Sequence, residues 1–324
     1  MSAISAAKTK GAVHAILSFA IENLQALGIV GMIIVFAAIE PHFLTFSNAM
    51  TITQQIGILA IVAIGESLVI FTGNIDLSVG SIVGLTALVL ALVMAATGSV
   101  LLGVTAALCT GIVVGIFNGV LVARLGLDSI IVTIAALTWG RGLVQAVTRG
   151  QPIRVENAFF TYLVDGKILG LAFPFFLIVI FYLAFYFFLH RTKTGYHIFA
   201  LGCNEQVVIN SGINSGNLKI AVLGISGLLA AVGGIIAIGR TASALAITGQ
   251  GLELDVIMAV IIGGNRLAGG KGSVGKVLLG VLFVGLLSNG LSIMAVPGTV
   301  VQMFKGLFII LAVLSDRLAH GRES

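Results

Sequence analysis

Charge is what this sequence has least of. Lysine, arginine, aspartate and glutamate together make up 9% of its 324 residues, against about 25% in an ordinary soluble domain. A chain that is 58% hydrophobic, with a mean hydropathy of +1.16, cannot cover its own surface with polar groups in water. A soluble globular protein is therefore excluded. Cysteine is nearly absent as well: Cys109 lies in an apolar run and Cys203 in a polar one, so no disulfide framework is implied. The five histidines are scattered. No His-Glu-x-x-His or Cys-x-x-Cys occurs, and no Gly-x-Ser-x-Gly precedes a helix, so catalysis is not expected. Sustained apolar/polar alternation is missing too, which excludes an outer-membrane barrel. The net charge of +5 does not point to nucleic acid, because the basic residues of a membrane protein gather on its cytoplasmic side.

What the chain does have is long apolar runs. About 20 apolar residues cross a bilayer, and runs fall at 25–40, 55–72, 78–98, 99–123, 128–147, 168–189, 219–239, 254–264, 275–296 and 299–316. The expected fold is all-α, a polytopic transmembrane helical bundle of about ten spans in a single domain over residues 1–324. The eighth run is too short to cross and reads as a half-helix or re-entrant piece. Glycine, at 42 residues, suits closely packed membrane helices. Residues 1–24 carry Lys8, Lys10, His14 and Glu22 and lack a small-residue cleavage site, so they are expected to stay as a cytoplasmic segment before a retained first span. With alternating spans and an inside N-terminus, eleven lysines and arginines fall on the cytoplasmic side and four, Arg149, Arg154, Lys167 and Arg240, on the outside. That split places both termini in the cytoplasm. Arg141 and Lys305 fall within spans; Arg141 is expected to snorkel to the outer interface.

Polar residues interrupt this text at few places. GNIDLSVG, Gly73 to Gly80, sets Asn74, Asp76 and Ser78 between two apolar runs. Asp76 can cap the third span by accepting from its free N–H groups, or it can line a broken helix that faces a translocation path. The first reading is preferred, and the two are compatible. Glu66, inside the second span, is the most deeply placed acid and a functional candidate by position. Glu253 and Asp255 open the short eighth run, where acids suit the helix dipole and where a substrate role stays open. Gly263 to Lys276, with Gly263, Gly264, Gly269, Gly270 and Gly272, resembles a phosphate loop but fails its spacing. Asn265 stands where a Walker A has glycine, and Gly272 follows Lys271. It reads instead as a flexible cytoplasmic turn. In the cytoplasmic segment 190–218, Asn204 caps a short helix from Glu205 to Asn210, and Gly212 stops it.

In order and spacing, GNIDLSVGSIVGL, ALGCNEQVVINSGIN and GLELDVIMAVIIGGNRLAGGKGSVG resemble the permease subunits of ABC importers for monosaccharides. These are the ribose, xylose, arabinose and galactose type, which includes autoinducer-2 permeases. The likeness runs from about Phe43 to Asp316. It implies a bacterial inner-membrane permease that pairs with a second copy. A periplasmic or lipid-anchored binding protein would deliver the sugar or related polyol, and a separate cytoplasmic ATPase would use the ATP, so that this chain binds no cofactor itself. Gly202, Asn204, Glu205 and Gly212 map onto the family's coupling helix. Cys203, Val207-Val208 and Asn265-Arg266 depart from the usual residues and bear on the fit to the ATPase. The competing readings are an ion-gradient-driven secondary transporter, for which Glu66 is the clear candidate, and a non-transporting membrane scaffold.

Overall fold

The computed structural model describes residues 24–320. Residues 1–23 and 321–324 lie outside it, and with them the reading of the N-terminal segment and of Lys8, Lys10 and Arg322. Helix α1 (Leu24–Ile39) leads through a single 3-10 turn, Pro41–Leu44, into α2 (Phe46–Phe71). Then come α3 (Val79–Thr97), α4 (Val100–Arg124) and α5 (Ser129–Thr148). A two-residue strand, Ile153–Arg154, the short α6 (Ala158–Asp165) and a two-stranded hairpin precede α7 (Phe173–Arg191). A polar stretch folds as α8 (Lys193–Cys203) and α9 (Glu205–Asn210). The chain closes with α10 (Ser215–Thr241), α11 (Leu252–Ile262), α12 (Val274–Ile293) and α13 (Gly298–His320).

Among the described residues ten apolar helices thus stand where ten apolar runs were read, and seven of them are long and apolar enough to cross a membrane. The short eighth run is the 11-residue α11. The Thr97-Gly98 turn divides α3 from α4, with Gly98 left-handed at φ 68°. Two boundaries move. Helix α2 starts at Phe46 rather than 55, because Thr45 accepts from Asn48 N–H and begins the helix within a polar stretch that hydropathy does not mark. The run placed at 168 starts as helix only at Phe173; Lys167–Ile168 and Leu171–Ala172 form a hairpin around Leu169-Gly170, both at positive φ.

Helices α2 and α10 form the centre: 83% and 72% of their apolar windows are buried, against 22% for α4, α5 and α7 at the rim. Helix α4 still packs tightly on α10, through Gly111, Gly115 and Gly119. A Cβ at those positions would lie 2.3 Å from Gly227 O, 2.3 Å from Leu223 O and 2.8 Å from Ile220 Cα, so the two backbones touch. Lipid gives no hydrophobic drive between helices, and close backbone approach of this kind supplies dispersion instead. The strand Ile153–Arg154 pairs with Ser243–Ala244, joining the segment before α6 to the one after α10 at one end of the bundle. Gly73, Gly202 and Gly269-Gly270 meet elsewhere in the fold. Both groupings are the ones that alternating spans require.

Candidate functional site: a broken helix, a half-helix and a polar cavity

Between α2 and α3 the chain turns back on itself. Asn74 N–H returns to Val69 O at 3.2 Å, and Asn74 Nδ2 bonds Thr72 Oγ1, which closes the end of α2. The next residues fold back along it, so that Asp76 N–H donates to Glu66 Oε1 at 3.1 Å, ten residues earlier. Asp76 does not cap α3 as expected. The cap position is Ser78, and its side chain makes no cap bond. The Asp76 carboxylate sits two residues too early for the helix, and accepts from Ser78 N–H (2.9 Å), from the Ser78 hydroxyl and from Ser226 Oγ on α10 (3.0 Å). Asn118 Nδ2 on α4 donates to Ser78 Oγ at 3.0 Å. Glu66, Asp76, Ser78, Asn118 and Ser226 are all fully buried. Four separate segments are tied in one network around Asp76.

Helix α11 begins beside this break. A Cβ on Gly80 would lie 2.2 Å from Glu253 Oε2, so only glycine lets the first turn of α3 pass this carboxylate. Arg141, expected to snorkel, pairs through its partly exposed guanidinium with buried Glu253 Oε1 at 2.7 Å, which gives that acid a counter-charge. Two residues on, Asp255 Oδ2 pairs with Lys305 Nζ of α13 at 2.7 Å. Both acids in the first turn of the half-helix are thus held by a cation from a different neighbour, α5 on one side and α13 on the other.

On the Asp255 side lies a cavity of about 380 Å³, walled by α2, α10, α11, α12 and α13, with Val83 of α3. Its polar lining is Gln55, Arg240, Gln250, Asp255, Ser288, Ser292 and Lys305. Of the residues singled out in the sequence, Asp255 and Lys305 line it; Glu66, Asp76, Ser78 and Glu253 do not. Gln55, Gln250, Ser288 and Ser292 were missed, as were the buried Asn118 and Ser226. The signal was there for some: an amide inside an apolar run has to find a partner. Asn289 of α12 does so, taking a bond from Asn48 (3.0 Å) and giving one to Gln55 (3.3 Å) on α2.

The glycine-rich segment after α11 is not a loose turn. Gly264, Gly269 and Gly270 have positive φ, Gly270 N–H donates to Phe71 O at 3.0 Å, and buried Asn265 spans the loop from Val260 O (2.9 Å) to Ser273 N–H (2.7 Å). Gly202, at the end of α8, presses into the same place: a Cβ there would lie 2.0 Å from Phe71 O and 2.4 Å from Gly270 N. Cys203 Sγ reaches Gly270 O at 3.5 Å. The three glycine motifs of the sequence therefore share one junction. Next to it, Asn204 caps α9 by accepting from Val207 N–H at 3.2 Å, and Gly212 follows the end of α9 at φ 78°, both as expected. Glu205 pairs with Lys219 at 2.8 Å. Burial would push the Glu205 carboxyl up, but hydrogen bonds from Lys219 and Ser215 and the Lys219 charge outweigh it and hold the carboxyl below its ordinary range. Val207 and Ile209 on α9 are exposed.

The sequence profile of a family described as "Branched-chain amino acid transport system / permease component" matches residues 48–313. The chain belongs to this family of permeases. The permease is 39% identical over 299 residues to the ribose import permease protein RbsC of Escherichia coli K12, covering 91% of this chain and 93% of that one. It is 34% identical to RbsC of Bacillus subtilis (90% and 91% covered), and 32% identical to the L-arabinose ABC transporter permease protein AraH of Azospirillum brasilense (99% and 94% covered). No solved structure matches. The permease is thus a multi-pass transport component of an ABC importer and not an enzyme, and it works with an ATPase and a binding protein. The gradient-driven reading, which rested on Glu66, is set aside.

Proposed function

We propose that the permease carries a monosaccharide or related small polyol across the bacterial inner membrane. The observation that supports this most directly is the cavity beside α11. Its volume suits a small ligand, and amides, hydroxyls and one ion pair line it, the mixture that satisfies a ring of hydroxyl groups. The names of the relatives agree: two of them import ribose and one transports L-arabinose. In this reading two copies assemble with both termini cytoplasmic, α9 with its exposed Val207 and Ile209 docks an ATPase, and the ATP is used there, so this chain binds no cofactor. Gly202, Asn204, Glu205 and Gly212 shape that docking end. Asp255 and Lys305 face the sugar; Glu66, Asn74, Asp76, Ser78 and Glu253 hold the break and the half-helix that wall its path.

The test is uptake into proteoliposomes holding the permease, its ATPase and its binding protein. Labelled ribose and arabinose are offered with ATP inside, and then without. ATP-dependent entry of a sugar, with KM raised by Gln55→Ala or Ser288→Ala, is expected. Sugar entry driven by a sodium or proton gradient without ATP would sink the proposal.

A further inference from the structure

The cluster around Glu66 holds two buried acids that sugar transport does not use. Glu66 and Asp76 lie fully buried, and the Asp76 backbone N–H donates to the Glu66 carboxylate. Among the described residues no cation pairs with either. Four basic side chains of the surrounding helices are engaged elsewhere, Arg124 with Asn217, Lys219 with Glu205, Arg141 with Glu253 and Lys305 with Asp255, and Arg240, in the last turn of α10, lines the cavity. Among the described residues the cluster's hydrogen-bond partners are Ser78 at the break, Asn118 on α4 and Ser226 on α10. Two adjacent anions in an apolar interior repel each other strongly, and isolated buried charge costs far more than hydrogen bonds alone recover.

The hydrogen bonds divide the two acids unequally. Asp76 takes three donors and stands at the positive end of α3, so its charge is accommodated. Glu66 takes one N–H on Oε1, while Oε2 is buried with no donor. Asn118 adds a second orphan. The single proton of the Ser78 hydroxyl goes to Asp76, so Asn118 must present its NH2 group to Ser78, and its Oδ1 is left buried and unpartnered. A proton on Glu66 would balance the charge at Oε2; Asn118 Oδ1 also calls for a partner. A metal ion meets both needs.

We propose that Glu66, Asp76, Ser78, Asn118 and Ser226 form a site for one alkali cation of sodium size, seated at the break between α2 and α3. One uncompensated carboxylate calls for a monovalent ion. A hard, all-oxygen ligand set suits an alkali ion and not a transition metal. Among the described residues no group of three acids, histidines or cysteines exists that would select a divalent metal. Unwound segments between membrane helices supply such ligands where backbone and side-chain oxygens converge. The cation would fasten α2, α3, α4 and α10 at one point, as a resident part of the importer and not as its driving force.

The experiment uses the full-length permease in detergent at fixed pH and ionic strength, with sodium chloride exchanged for choline chloride. Thermal unfolding should rise by about 3–6 °C as sodium goes from trace to 100 mM, saturably, with potassium less effective. Glu66→Gln should abolish the sodium response while unfolding cooperatively. Asn118→Ala, a gentler change, should need at least about tenfold more sodium, and it keeps the test decisive if the Gln variant does not fold. No sodium-specific rise in the wild type, or the same rise in Glu66→Gln or Asn118→Ala, overturns the site. Stabilisation by lower pH with no sodium effect also overturns it, because the missing charge is then a proton.

Discussion

Asp76 shows how much one carboxylate can hold. An exposed cap would be worth about 0.5–2 kcal/mol, but this side chain serves three donors in a fully buried place. Each buried donor left without an acceptor costs about 1–3 kcal/mol. Asp76→Ala is therefore expected to lower stability by more than a cap would, about 3 kcal/mol. Asp76→Asn should fall between it and the wild type, because an amide oxygen still serves Ser78 while its NH2 meets a Ser226 hydroxyl that can turn to accept. Unfolding temperature and membrane abundance, measured together in both variants, check the order. Wild-type stability in Asp76→Ala would show that the network carries no energy.

At the scale of elements the notable unit is the junction of α2, α8 and the loop after α11. It links the segment next to α9 with the break and with the half-helix that walls the cavity. Its contacts are backbone on backbone, which cannot yield as a flexible side chain can. Gly202→Ala would put a methyl group 2.0 Å from Phe71 O, forcing α8 away from α2. The expected result is a permease that inserts and retains its ATPase, with the binding protein's stimulation of ATP hydrolysis reduced roughly tenfold. Unchanged stimulation at normal assembly would separate the junction from coupling. The same geometry explains why Gly263 to Lys276 misled as a sequence. A run of glycines reads as freedom, yet several here have positive φ or sit where no Cβ fits.

At the scale of the whole molecule the open quantity is orientation, and two exposed positions report on it. Ala158 starts α6 at the end where Ile153–Arg154 pairs with Ser243–Ala244, and Cys203 ends α8 at the glycine junction. In sealed cells carrying Ala158→Cys on a Cys203→Ser background, a membrane-impermeant thiol reagent should react. The wild-type Cys203 should react only after the cells are opened. The reverse pattern would invert the permease, and with it the end at which α9 meets an ATPase.

Hydropathy, read along the chain, already determined the polytopic α-helical class, the ten apolar segments and the shortness of α11. Each follows from the bilayer's demand that backbone groups be satisfied within a segment and that apolar length match its thickness. Local capping chemistry was legible as well: Asn204 and Gly212 bound α9 through bonds to neighbours a few residues away. Partners distant in sequence were not legible. Arg141 meets Glu253 112 residues on, and Ser226 meets Asp76 across 150 residues. Those pairings, and the walls of the cavity, arise from which helix faces which. That choice is made by backbone contact at glycines and by the need of every buried polar group for a partner, which only the assembled bundle can supply.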